Sequence, residues 1–182
     1  MNTEKRLEIE VKIKVQGLES LRRKILRLPA ALETERAFER NIVFDTARKK
    51  LRERGMLLRL RRTGENAVLT LKTPAQGNSR YKVREETEVR VSDFAAVEKI
   101  IRALGFRVSF IYEKYREVFT AGRARIMIDE TPIGDFIEIE GDPEHIDAVA
   151  ARLGFAADDY IRESYLQLFL RSGHSGHMVF GE

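Results

Sequence analysis

Segment after segment of this chain alternates long apolar side chains with full charges, and that repetition limits how it can fold. Residues 7–15, LEIEVKIKV, put Leu7, Ile9, Val11, Ile13 and Val15 on one side and Glu8, Glu10, Lys12 and Lys14 on the other. This is the period of two that marks a strand. Arg59 and Arg61 alternate with Leu58 and Leu60, and Lys72 closes a strand whose other face carries Leu69 and Leu71. Lys82, Arg84, Glu86, Glu88 and Arg90 run opposite Tyr81, Val83 and Val89. Lys114 and Arg116 follow, then Arg125 and Asp129 opposite Ile126 and Ile128, then Glu138 and Glu140 opposite Ile137 and Ile139.

One such strand is an ordinary sheet with a solvated charged face. So many in one small domain would leave a flat sheet with edges to protect, and closure removes them. If the sheet closes with helices outside, the charges point inward. A barrel lined with carboxylates and a larger set of cations cannot be a dry core, because unpaired buried charge is too costly. It has to be a wet tunnel with a charged guest. Arg and Lys suit a chain of phosphates. Carboxylates would repel that guest unless divalent metal lies between them, and oxygen ligands without His or Cys select Mg²⁺ or Mn²⁺.

The 182 residues suffice for one domain, expected over 1–172 with a flexible tail over 173–182. The 33 Lys and Arg are nearly balanced by 29 Asp and Glu, interleaved throughout, so the net charge of +4 is no nucleic-acid arm. The absence of Cys excludes a disulfide scaffold, a thiolate zinc site, an iron–sulfur cluster and a cysteine nucleophile. No signal core or membrane-length apolar run occurs, so a soluble, cytoplasmic protein is expected, without nucleic-acid or membrane partners and with a homodimer left open. No GxxxxGK[ST] loop or GxGxxG turn is present to hold phosphate.

Helices are predicted over Leu18–Leu28, after an Asp45-Thr46 cap up to Gly55, after Ser92-Asp93 up to Leu104, over Pro143–Leu153 and near Glu163–Leu170. Strands are predicted over 33–44, 56–62, 67–73, 80–91, 108–120, 123–131 and 136–141, with a hairpin turn at Thr63–Asn66. Many strands precede few helices without strand–helix alternation, which reads as a mainly antiparallel α+β fold. Ser164-Tyr165 reads as capping or packing of the last helix, and Phe106, Phe110, Tyr112 and Phe119 as sheet packing. His174-x-x-His177 reads as part of a mobile tail.

The charged strands carry a resemblance. Glu8-x-Glu10-x-Lys12 is similar to the ExExK signature of the CYTH domain, the triphosphate tunnel metalloenzyme superfamily, which includes class IV adenylyl cyclases, thiamine triphosphatases and inorganic triphosphatases. Asn41 to Arg61, NIVFDTARKKLRERGMLLRLR, resembles the family's middle segment. TLK at Thr70–Lys72, KVREETE at Lys82–Glu88, Lys114-x-Arg116, IDETPIGDFIEIEG at Ile128–Gly141 and Ser164-Tyr165 complete the match in order. The resemblance implies a closed eight-stranded antiparallel tunnel. It also implies Mg²⁺ or Mn²⁺ on Glu8, Glu10, Asp129, Glu138 and Glu140. Triphosphate would lie on Lys12, Arg59, Arg61, Lys72, Lys82, Arg84, Lys114, Arg116 and Arg125, with Lys12, Glu8 and Glu10 as catalytic residues. Glu86 and Glu88 would complete the metal shell or position neighbouring cations.

Some inorganic triphosphatases of the superfamily pair the signature Lys with a Tyr that follows the first strand. Residues 16–40 contain no Tyr here. Hydrolysis of a triphosphate is the expected reaction, needing only the triphosphate and a water. Cyclisation of ATP to cyclic AMP and pyrophosphate is the alternative, and it needs an adenine pocket to which no residue is assigned.

Overall fold

The structure is a computed structural model that describes residues 6–76 and 80–181. Part of the connection expected at 74–79 lies outside the described residues. Eight strands form a closed antiparallel barrel in the order β1-β5-β4-β3-β2-β6-β7-β8. They are β1 (Arg6–Val15), β2 (Ala30–Asp45), β3 (Leu57–Thr63), β4 (Asn66–Pro74), β5 (Lys82–Val91), β6 (Arg107–Ala121), β7 (Ala124–Thr131) and β8 (Gly134–Glu140). The barrel closes through β1 and β8, with Val11 opposite Ile139 and Ile13 opposite Ile137.

The outward faces are the apolar ones. Helices α1 (Leu18–Ile25) and α4 (Pro143–Leu153) cover β1, β7 and β8, burying Val11, Ile13, Ile126, Ile137 and Ile139 against Leu21, Ile25, Ile146 and Leu153. Helix α3 (Phe94–Ala103) covers Ile42, Phe44 and Leu60 with Ile101, and Asp93 caps it by accepting from Ala96 N at 2.9 Å. No helix among the described residues is long and apolar enough to cross a membrane.

Two elements differ from expectation. Helix α2 (Lys50–Glu53) is one turn, shorter than the run predicted from Asp45 to Gly55, because Lys49 takes a left-handed conformation at φ 55°. Asp45 still caps it, accepting from Thr46 N, Leu51 N and Arg52 N at 2.7, 2.9 and 3.0 Å. The tail expected to hang free from residue 173 is docked at Met178, which is fully buried. Strand β7 reaches only Tyr115–Ala121 of β6, leaving the earlier residues of β6 with an open edge. Met178 fills it: its N–H donates to Ile111 O at 3.0 Å and its carbonyl accepts from Glu113 N at 2.8 Å. The Met178 backbone thus satisfies groups of the unpaired strand edge while its apolar side chain is buried.

Helix α5 (Tyr165–Arg171) lies across one end of the barrel, where β2 finishes and β3 and β6 begin. Tyr165, Leu168 and Phe169 pack there with Val43, Phe110, Tyr112, Phe136 and Met178. Ser164 accepts from Gln167 N at 3.3 Å while Gln167 Oε1 accepts from Ser164 N at 2.8 Å. This capping box fixes where the helix starts and therefore where Tyr165 points.

Candidate active site

The barrel encloses a cavity of about 880 Å³, and the charged faces of the strands line it. The alternation of β1 brings Glu8, Glu10 and Lys12 inside, all largely buried. The other inward residues arrive by the same rule: Arg59 and Arg61 from β3, Lys72 from β4, Lys82, Arg84, Glu86 and Glu88 from β5, Lys114 and Arg116 from β6, and Glu138 and Glu140 from β8. Asp129 on β7 is 0% exposed.

The carboxylates are held by cations. Lys72 Nζ lies 2.6 Å from both oxygens of Glu8, Lys82 Nζ 2.5 Å from Glu10, and Lys12 Nζ 2.6 Å from Glu138. Arg116 grips Asp129 with both arms at 2.6 Å and also donates to Glu138. Lys114 Nζ reaches Asp129 at 2.9 Å and the Tyr165 hydroxyl donates to it at 2.6 Å. Arg59 donates to the Tyr112 hydroxyl and to Thr70 Oγ1, each at 3.3 Å, and lies 3.5 Å from Glu88. Arg61 stands 3.7 Å from Glu88 and 3.9 Å from Glu39. Two further expected cations line the cavity as well. Arg84 donates to the Gly55 carbonyl, and Arg125 makes a two-armed contact with Glu33, 3.7 Å from Glu140.

Burial alone would raise the carboxyl of Glu10, but Lys82, with Lys12 and Lys72, outweighs burial and Glu138 to hold it at about 2. Burial likewise opposes the charge on Glu138, yet Lys12, Arg116 and Lys114 keep it well below the usual carboxylate range. Glu86 goes the other way. Burial pushes it up to about 7, Lys72 opposes, and Glu8 and Glu88 add to the rise. Burial and the neighbouring Asp129 and Glu138 carboxylates raise Tyr165 well above its ordinary value, so its hydroxyl stays protonated and donates.

Hard oxygen donors on adjacent strands suit a divalent cation, with Glu10 directly opposite Glu140 across β1 and β8. Among the described residues, however, no three carboxylate or histidine side chains are gathered closely enough to hold one. Each is drawn toward a cation. Glu8, Glu10 and Glu138 fit the role nonetheless, because each has a lysine partner whose flexible stem can swing toward phosphate. Asp129 fits less well: the Arg116 fork, Lys114 and Tyr165 already occupy both of its oxygens.

Four buried polar residues, three lining the chamber and Asn41 beside them on β2, escape a reading based on charged strands alone. Glu39 and Asn41 on β2 are 6% and 0% exposed, Tyr112 on β6 is 7% and Tyr165 on α5 is 7%. Glu39 Oε2, both side-chain polar atoms of Asn41 and Arg59 Nε are buried without a hydrogen-bond partner. Buried polar groups are seldom left so, and a cluster of them marks space for a ligand or water. The signal was present as period two through Glu39-x-Asn41-x-Val43, hidden by the apolar Ile42-Val43-Phe44 run. Tyr112 and Tyr165 do more than pack. Tyr165 sets its ring 4.3 Å from Lys12 Nζ and 5.3 Å from Lys114 Nζ.

The CYTH domain family model matches residues 6–165. Over 173 residues the chain is 27% identical to a Methanocaldococcus jannaschii protein bearing the name "putative adenylate cyclase", covering 89% of this chain and 98% of that one. A solved structure from Vibrio parahaemolyticus, named "putative adenylate cyclase", superposes with a TM-score of 0.81 at 18% identity, over 92% of this chain and 99% of that one. The "putative adenylyl cyclase" of Hippeastrum, described as having a dominant triphosphatase activity, gives a TM-score of 0.66 at 19% identity over 92% and 97% of the two chains. The two structural likenesses speak for the fold, whereas the family match runs through every strand of the charged barrel: the chain belongs to the CYTH domain family.

Proposed function

We propose that the protein is a divalent-metal-dependent phosphohydrolase of triphosphates, Mg²⁺ or Mn²⁺ being the metal. The observation that carries this reading is the set of lysine–carboxylate pairs inside the cavity: Lys72 on Glu8, Lys82 on Glu10 and Lys12 on Glu138. Such a pair exchanges partners without creating an unpaired charge when a polyanion and a divalent cation enter together. Each lysine would move to a phosphate oxygen, and the carboxylate it leaves would be free to hold the metal.

Glu8, Glu10 and Glu138, with Glu140 beside them, would hold the metal. When bound, it neutralises charge on phosphate oxygens and acidifies or orients a water. The chain's own residues do the remaining work. Lys12, Lys72 and Lys82 bind phosphate oxygens along one wall. Arg59, Arg61, Lys114 and Arg116 bind them along the other, so that the phosphates lie extended and the terminal one is presented in line. Asp129 holds the mutually repelling Lys114 and Arg116 side by side, and Glu86 and Glu88 position Arg59 and Arg61. Water attacks the terminal phosphorus, the bridging oxygen leaves with the diphosphate, and orthophosphate and one proton are released.

Class IV adenylyl cyclase is the second reading, favoured by the name of the Methanocaldococcus jannaschii relative. There the ribose 3′-hydroxyl of ATP attacks the α-phosphorus. Incubation with inorganic triphosphate or ATP and Mn²⁺, followed by chromatography, separates the two. Orthophosphate from inorganic triphosphate, with ADP from ATP, is the expected result. Cyclic AMP with stoichiometric pyrophosphate establishes the cyclase, and no turnover of either compound sinks both.

A further inference from the structure

The chamber reaches the surface at both ends of the barrel, and the two ends differ in charge. Where β2 begins and β3 ends, the exposed lining residues include Thr34, Asn66 and Arg90. Cations and carboxylates are largely matched there. Arg125 lies 2.7 Å from Glu33 and 3.7 Å from Glu140, and Arg123 lies 3.3 Å from Asp142. Arg90 is the lining cation at this end that forms no ion pair with a described residue. At the other end, the lining residues that meet solvent are Lys49 and Arg52 from the α2 segment, Gln167 and Leu170 from α5, and His177 from the tail.

Lys49 and Arg52 belong to a run. Residues 48–54, RKKLRER, place five cations in seven positions with Glu53 as the single acid. Arg48, Lys49, Lys50, Arg52 and Arg54 are all exposed, and none forms an ion pair or side-chain hydrogen bond with another described residue. The nearby carboxylate of Asp45 does not neutralise them, because the backbone N–H groups of Thr46, Leu51 and Arg52 occupy both of its oxygens. Lys49 takes φ 55°, the one positive φ outside glycine among the described residues. A non-glycine residue held in that region is strained, and such strain gathers at sites that handle ligands.

Inside the chamber each lysine of the signature wall is already matched: Lys72 with Glu8, Lys82 with Glu10, Lys12 with Glu138. The fields of such close pairs largely cancel beyond a Debye length, about 8 Å at physiological ionic strength. An anion still in solution therefore feels little of the chamber and much of the α2 run. We propose that the opening between α2 and α5 is the loading mouth of the tunnel, and that these five cations form a collar which draws in a phosphate polyanion before the inner pairs exchange partners. The proposal rests on the triphosphate reading of the chamber and adds the route by which the guest arrives. Capture of this kind acts on the association rate and fades with salt, since no lasting contact is needed.

The test measures association and dissociation rate constants for the imido analogue of inorganic triphosphate with Mg²⁺, by stopped flow, at about 20 mM and about 200 mM salt. The collar variant is Arg48→Gln/Lys50→Gln/Arg54→Gln, which leaves every cavity-lining side chain in place. The control is Arg23→Gln/Arg27→Gln/Arg152→Gln, exposed cations on and beside α1 and α4, with the same change in net charge. Thermal melts verify that both fold, as expected for side chains that hold no partner. The collar variant should associate about tenfold more slowly at low salt and about twofold more slowly at high salt, with dissociation within about twofold of wild type. The control should match wild type within about twofold at both salts. An equal fall in the control reduces the effect to net charge and overturns the collar. So does a collar variant whose association rate stays near wild type, or one that loses affinity through dissociation alone. If the wild-type protein does not bind the analogue, the triphosphate reading itself fails.

Discussion

Two carboxylates in the same chamber play opposite parts, and their partners decide which. Asp129 is 0% exposed and holds Lys114, Arg116 and Tyr165 together, whereas Glu8 is clasped by Lys72 alone at hydrogen-bond distance. Removing the charge of Asp129 strands two buried cations, and breaking a buried pair in this way costs about 3–5 kcal/mol. Asp129→Asn is therefore expected to lower urea stability by about that amount. Glu8→Gln should lose turnover while its stability changes by about 1 kcal/mol or less, because Lys72 also lies 3.4 Å from Glu86. Comparable stability losses in the two variants would contradict the division of labour. Asn41 gives a sharper contrast. Its side chain makes no hydrogen bond within the protein, so Asn41→Ala should leave the melting curve nearly unmoved. It should still weaken triphosphate binding by about tenfold, the equivalent of roughly one good hydrogen bond to a charged group. Unchanged affinity in calorimetry would show that Asn41 does not meet the ligand.

At the scale of elements, connections rather than strands fix the geometry of the site. Gly55 joins α2 to β3 at φ 66°, and a Cβ there would stand 3.0 Å from Pro74 Cγ on β4. Gly55→Ala combines a left-handed backbone with that close approach and should cost about 1–3 kcal/mol in thermal or urea unfolding. A neutral substitution would mean that the turn can relax without the glycine. The strands themselves were legible from period two, since alternation needs only that one face be apolar and the other charged. What was not legible is instructive. Helix α2 was expected to be longer because an Asp-Thr cap followed by basic residues and a Gly reads as a full helix. Instead the chain loops through a left-handed Lys49 before the helix starts, so that Asp45 reaches Leu51 N and Arg52 N from six and seven residues away, a spacing the usual cap pattern does not report. The docked tail was missed for a related reason. The segment from Ser172 to Glu182 is rich in glycine and histidine, and the open edge of β6 that captures Met178 exists only after β7 has paired further along the strand. Tyr165 belongs here as well. Capping and packing both hold for its helix, but its reach to Asp129 needs α5 to lie across the barrel end, a matter of chain path rather than local sequence.

For the molecule as a whole, an interior built from opposed charges should make stability depend on pH in two directions. Glu86 is raised to about 7 in the folded chain, mainly by burial, against an ordinary value of 4.5. Between those values the folded state binds the extra proton, so stability falls as pH rises from about 4.5 through 7. Glu10 is depressed to about 2, and Glu138 and Asp129 are depressed as well. Their contribution is fully present above the unfolded carboxyl value and is lost as pH falls toward their folded values, because the unfolded state then binds more protons. The unliganded protein is therefore expected to melt highest near pH 5, with Tm declining on both sides. The two arms have different owners, which makes the profile testable. Glu86→Gln removes the group responsible for the neutral arm, so Tm should become flat between pH 5.5 and 7.5 while the acid arm remains. A wild-type Tm that rises steadily from pH 5 to 8, or a Glu86→Gln profile that keeps the neutral decline, would show that the chamber stores its charge differently.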